Sequence, residues 1–180
     1  MKLGTKFVAI FKLILPLFCV SSVYAADGFE SVRCGSDIAK ALIGKKDSNE
    51  KVVVLEKRHA DLGLKDLGAD EITDHLNLIF WLICGEEYAV LEGESSIRDV
   101  LKVPEHSKKS PLFDGMCEMN GKGAKTIVVV AVLNAEGESG DKLPAKTAWK
   151  IDEKKGKFVS IPTEGIRCPR DGIVTEDRGR

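Results

Sequence analysis

TIVVVAVL, residues 126–133, is the stretch of sequence that decides the fold. Every residue after Thr126 is aliphatic and most are β-branched, which favours an extended backbone. A half-buried strand alternates apolar and polar side chains, whereas this run does not alternate. The run therefore predicts a strand that is covered on both faces and lies at the centre of its sheet.

A hairpin is predicted to follow this strand along the chain. Residues 147–152 alternate in character, and residues 158–161 return after the polar sequence EKKG. Two extended runs joined by a short polar turn with a glycine are typical of a β-hairpin. The large side chains expected in the core, from these strands and from the apolar run described next, are Val129, Trp149, Ile151, Phe80 and Leu82.

A second apolar run precedes the first. Residues 76–84 are almost continuously apolar, and periodicity alone does not separate a buried strand from a buried helix here. Gly85 follows at once, and residues 88–91, YAVL, have the composition of a strand. The short run and the adjacent turn favour a second hairpin.

Shorter segments complete the expected secondary structure. Ser36 is expected to cap a helix that ends at Gly44, because a hydroxyl there accepts an unpaired backbone N–H. Residues 52–55, VVVL, predict a short strand, and residues 70–77 have helical character. Residues 96–103 fit either a helix or a strand. Together these elements predict an α+β fold, mostly antiparallel β with one or two short helices, in a single disulfide-tied domain.

The first 25 residues have the order of a secretory signal peptide. A basic start is followed by an apolar core and then by Val23-Tyr24-Ala25, which predicts cleavage after Ala25. The alternatives are an uncleaved anchor, for which the core is short and interrupted by Lys12, and lipidation at Cys19, which follows the bulky Phe18. We therefore expect an exported protein, periplasmic or secreted, with residues 26–180 as the mature domain and no membrane span after cleavage.

The composition of the mature chain narrows its class of partner. The chain has 27 Lys+Arg and 28 Asp+Glu, and the leader carries three of the cations, leaving 24 against 28 and a net charge of −4. The charges are interspersed along the sequence, which argues against a nucleic-acid or anionic-membrane binder. No glycine-rich phosphate loop is present, so no cofactor is expected.

The cysteines predict a covalent framework. Cys34, Cys84, Cys117 and Cys168 remain after the leader, and none forms a Cys-x-x-Cys pair. An even count in an exported chain indicates two disulfides. We expect Cys34–Cys84 and Cys117–Cys168, because each bridge then closes a loop within one half of the chain. The two other connectivities are the alternatives.

The histidines provide the candidate sites. His59 lies near Asp61 and Asp66, and a carboxylate could orient it as a general base. Glu71 and His75 are four residues apart, which on a helix would place two metal ligands on one face. The alternative is that both groups belong to charged, solvated segments without chemistry.

Three functions are compatible with these observations. The first is a non-enzymatic exported binding or accessory protein, with an unknown protein or small molecule as its partner. The irregular connection predicted over residues 104–123 would supply the contact surface in residues 104–115. The second is a small exported hydrolase that uses His59 with Asp61 or Asp66. The third is a structural component of the cell envelope, which would carry a large exposed apolar patch.

Overall fold

A computed structural model describes residues 28–46, 51–94, 96–120 and 125–174. The predicted signal peptide and its cleavage site lie outside these residues. The described elements are α1 (Ile38–Leu42), α2 (Val52–Arg58), β1 (Lys65–Thr73), β2 (Leu76–Ile83), β3 (Glu86–Gly93), β4 (Ser96–Lys102), β5 (Leu112–Met119), β6 (Lys125–Leu133), β7 (Lys142–Asp152), β8 (Lys157–Ser160) and β9 (Ile166–Pro169). The predicted α+β fold, mostly antiparallel β with two short helices in one domain, is confirmed.

The first sheet is a four-stranded antiparallel meander in the order β1–β2–β3–β4. The predicted hairpin of β2 and β3 is confirmed, with Ile83 opposite Glu86. Cys84 and Gly85 form its turn with φ of 56° and 78°. Positive φ at both central residues matches the twist of a two-residue hairpin, and Gly85 adopts it without a steric penalty.

The second sheet closes on itself around β6. Its order is β6–β5–β9–β7–β8, and β6 also pairs with β7, so that β5, β6, β7 and β9 form a ring of four strands. The central position predicted for residues 126–133 is confirmed, because β6 has a partner on each edge. The predicted hairpin is confirmed as β7 and β8, with Ile151 opposite Phe158.

Three clusters of buried side chains explain the two apolar runs. One face of the first sheet packs with α1 and α2, and its other face packs against β5, β6 and β7. A third cluster includes residues of all four strands of the ring. Val130 and Val132 of β6 belong to the cluster between the sheets, whereas Val129 and Ala131 belong to the cluster of the ring. Both faces of β2 and β6 are therefore covered, which removes the usual alternation from their sequences.

The expected core residues are confirmed in part. Val129, Phe80 and Ile151 are buried. Trp149 and Leu82 are only half-buried, because they lie on the less covered positions of β7 and β2.

Two short segments adopt a different structure from the one predicted. Residues 52–55 begin α2 instead of forming a strand, since Leu55 packs into the cluster that contains α1. Residues 70–77 form the end of β1, a turn and the start of β2 instead of a helix, with Glu71 opposite Asn77. In both places the contacts with neighbouring elements outweigh local preference, as is usual for runs this short.

Three further boundaries are settled by the structure. Residues 96–102 form a strand, β4, and the connection predicted over residues 104–123 contains β5, which pairs with β6 along its length. The predicted helix after Ser36 is present as α1. Its cap is Asp37, whose Oδ1 accepts a hydrogen bond from the Lys40 N–H at 3.0 Å. In the part of the chain that the structure describes, no helix is long and apolar enough to cross a membrane.

Candidate functional site

Both expected disulfides are present. Cys34 is bonded to Cys84 with Cα atoms 5.5 Å apart, and Cys117 is bonded to Cys168 with Cα atoms 4.4 Å apart. The first ties the segment before α1 to the turn between β2 and β3. The second ties β5 to β9 inside the ring. Paired cysteines are typical of an oxidising compartment outside the cytoplasm.

The structure places the predicted catalytic histidine inside the core. His59 is 7% exposed and lies between α2 and the 3-10 turn Ala60–Leu62. Its ring centroid is 5.6 Å from that of Phe29. Its carbonyl accepts hydrogen bonds from the Leu62 N–H at 3.0 Å and the Leu64 N–H at 3.4 Å. The residue thus helps to turn the chain from α2 into β1.

The two carboxylates predicted to assist His59 have different surroundings. Asp61 is exposed on the 3-10 turn. Asp66 is half-buried on β1, and its Oδ1 accepts a hydrogen bond from the Gly68 N–H at 2.8 Å. The catalytic role of this group stays a prediction.

The predicted metal pair loses the helix on which its spacing depended. Glu71 is exposed on β1, and His75 is in the turn that follows. His75 Nδ1 is 3.7 Å from Glu94 Oε1, and both side chains are largely exposed. Among the described residues, no group of three or more His, Cys, Asp or Glu side chains is placed to hold a metal ion.

A polar pair that sequence reasoning missed anchors the connection between the sheets. His106 Nε2 lies 2.9 Å from Glu87 Oε2, with the two side chains 12% and 16% exposed. The connection is also held by two backbone hydrogen bonds: the Lys109 carbonyl accepts one from the Ala135 N–H, just after β6, at 2.9 Å, and the Pro111 carbonyl accepts one from the Leu133 N–H of β6 at 2.8 Å. The pair joins residues 19 positions apart in a loop and a strand, so no local pattern indicates it.

A second feature that the sequence did not predict is an apolar surface on α2. Val52, Val53 and Val54 are 36%, 71% and 45% exposed, and we call these three residues the α2 apolar surface. The other large hydrophobic side chains found exposed among the described residues are scattered: Ile43, Met116 and Val159. Three consecutive valines are visible in the sequence, but the strand predicted for residues 52–55 implied that they would be buried.

Two inward contacts hold α2 in place. Leu55 is 2% exposed and packs in the cluster shared with α1. Glu56 Oε1 accepts a hydrogen bond from the Asp66 N–H of β1 at 2.9 Å. The acidic side chain of α2 is therefore turned toward β1, whereas Lys51 and Lys57 are exposed beside the valines. This part of the surface combines apolar groups with cations.

Comparisons with known proteins add no relative. No family model, no curated protein and no solved structure matches this chain. The function is therefore inferred from the side chains of this molecule alone.

Proposed function

We propose that the protein is an exported, non-enzymatic accessory protein that binds its partner through the α2 apolar surface. The observation that carries the proposal is the exposure of Val52, Val53 and Val54 on one helix. Full burial of a valine contributes about 1.5–3 kcal/mol, so three exposed together represent a large unused contribution to binding. Clustered exposed apolar groups mark interaction sites more often than scattered ones do.

The scaffold supports this role. Leu55 and Glu56 fix α2 on the core and on β1, so the valines project from a defined position. Function concentrates where side chains are held by a rigid framework, and two disulfides reinforce this one. The signal peptide predicted in residues 1–25, with cleavage after Ala25, supports a periplasmic or secreted location.

The two alternatives have less support. A hydrolase using His59 with Asp61 or Asp66 would need the imidazole within reach of substrate, and its ring is buried against Phe29. A structural component of the envelope would be expected to expose a larger apolar area than three valines and a few scattered side chains. An apolar binding surface also agrees with the expectation that nucleic acid is not a partner.

Affinity capture from envelope extracts of the producing cells, using the exported protein as bait, tests this proposal. Val53→Asp places a charge at the most exposed valine and should abolish capture of the specific partner. Val159→Asp is the matched control, because Val159 is also exposed, at 42%, but lies on β8 of the second sheet and not on α2. Equal capture by both variants and the unaltered protein would refute the role of α2.

A captured component must then bind in purified form. We expect the purified component to bind the unaltered protein and the Val159→Asp variant alike, and Val53→Asp at least tenfold more weakly, about 1.4 kcal/mol. Circular dichroism and thermal unfolding of each variant check that the fold is intact.

A further inference from the structure

We propose that the partner of the α2 apolar surface is an anionic lipid membrane, into whose interface the first turn of α2 inserts reversibly. This inference rests on the proposed function, because it assigns a partner to the same surface. The proposed contact is peripheral: the apolar side chains of a short helix enter the headgroup region without crossing the bilayer.

The directions of the three valines favour a fluid partner. Consecutive residues of an α-helix project about 100° apart, so Val52, Val53 and Val54 together span about 200° around the helix axis. A protein groove usually accepts a helix along one stripe at i, i+3, i+4 and i+7. These valines make no such stripe, and α2 is only seven residues long. Lipid can surround a protruding turn from several sides at once, so it can cover all three side chains.

The charged side chains around the valines indicate which lipids the surface would bind. Lys51 immediately precedes the valines, and Lys57 lies one turn after Val53, at a spacing that shares its helix face. A hydrogen bond does not remove the charge of the Glu56 carboxylate, but the bond from the Asp66 N–H at 2.9 Å directs that carboxylate toward β1. The next carboxylate, Asp61, is exposed on the 3-10 turn after α2, farther along the chain from the valines than either lysine. The exposed side of α2 therefore combines apolar groups with two lysines, the composition of helices that bind anionic interfaces.

The same charges disfavour a second copy of the chain. In a twofold-symmetric contact through this surface the two helices would approach each other with the same lysines, and like charges at close range repel. The interspersed charges of the sequence argued against a membrane binder. In the fold, however, Glu56 is directed toward β1, whereas Lys51 and Lys57 are exposed beside the valines. Folding thus leaves two exposed lysines next to an apolar surface on a chain whose mature part has a net negative charge.

Vesicle co-sedimentation of the exported protein, with both disulfides formed, tests the proposal. We expect binding to vesicles of phosphatidylcholine with phosphatidylglycerol and much weaker binding to phosphatidylcholine alone. Val53→Asp should lower the partition coefficient at least tenfold, and Lys57→Ser should lower it about fivefold, because each lysine near an anionic surface contributes roughly that factor. Val159→Asp should bind as the unaltered protein does. Added salt should weaken binding, since it screens the lysines.

Several outcomes would overturn the lipid assignment. These are no binding to anionic vesicles, equal binding to both vesicle types, or equal binding of Val53→Asp and Val159→Asp. If vesicle binding fails while Val53→Asp still abolishes capture of an envelope protein, the partner is a protein and the proposed function stands. If Val53→Asp changes neither measurement, both proposals are wrong. Because Val53 is 71% exposed, the variant is expected to fold, and its thermal unfolding verifies this.

Discussion

Replacement of Leu55 by alanine is expected to loosen α2 from the core. Leu55 is 2% exposed and is the buried residue of α2, packed in the cluster with α1 and β2. Leu→Ala substitutions at buried positions cost about 2–5 kcal/mol, and the cost falls where the surroundings can relax. Because α2 is a short helix at the edge of the cluster, we expect the lower part of this range, about 2–3 kcal/mol.

Urea unfolding with the disulfides intact measures this cost. Val53→Ala is the matched control on the same helix: it removes the same class of side chain from a position that is 71% exposed, and it should change stability by less than about 0.5 kcal/mol. Loosening of α2 should also appear in hydrogen exchange, because its amides should exchange faster in Leu55→Ala than in the control. A free energy of unfolding that is equal in the two variants would refute the account of how α2 is held.

Other contacts give smaller predictions. Thr147 Oγ1 is buried and has no hydrogen-bond partner among the described residues, so Thr147→Val should leave the free energy of unfolding in urea unchanged or raise it, and a decrease above about 1 kcal/mol would contradict this. Asp99 Oδ2 accepts a hydrogen bond from the Phe158 N–H at 2.8 Å and joins β4 to β8, so Asp99→Ala should cost about 1–3 kcal/mol in urea unfolding. For Asp152, desolvation raises the pKa of the carboxyl, but the backbone hydrogen bond and the charge of Lys155 outweigh it and lower the pKa below its ordinary value. Its stabilising effect is present above the unfolded-state pKa and is lost as pH falls through the folded-state pKa; the thermal midpoint of Asp152→Asn should lie below that of the unaltered protein at neutral pH, and the difference should vanish in acid.

The parts of the fold that the sequence predicted have strong local patterns. Residues 127–133 are apolar throughout because β6 supplies side chains to two clusters. The nearly continuous apolar run of β2 has the same cause. The β7–β8 hairpin has alternation and a turn, and β2–β3 has two apolar runs that meet at Gly85. The disulfide pairing was predicted from the division of the chain into two halves, and each bridge does join residues 50 or 51 positions apart within one half.

The wrong predictions fall on segments whose structure depends on distant partners. Three valines favour a strand by propensity, but residues 52–58 lack a sheet neighbour, and burial of Leu55 in a core shared with α1 fixes a helix instead. β5 was missed because its sequence contains Asp114, Gly115 and Glu118, and its pairing with β6 and β9 supplies what local preference does not.

The α2 apolar surface was not predicted because residues 52–55 were expected to form a strand. A strand at residues 52–55 would have buried the valines in a sheet, so their exposure was not expected from the residue order. Their exposure follows from the helix, and the inward turn of Glu56 follows from its contact with β1. Both are tertiary effects, and neither is visible in residue order alone.

Photo-crosslinking at position 53 in the producing cells shows directly whether α2 is the binding surface. Val53→p-benzoylphenylalanine places a reactive group on the α2 apolar surface, and Val159→p-benzoylphenylalanine places the same group on the exposed side of β8. If α2 binds the partner, position 53 should give specific crosslinks, to lipid if the membrane assignment is correct, and position 159 should give none of those crosslinks. The same crosslinks from both positions, or crosslinks from position 159 alone, would contradict the claim that α2 is the binding surface.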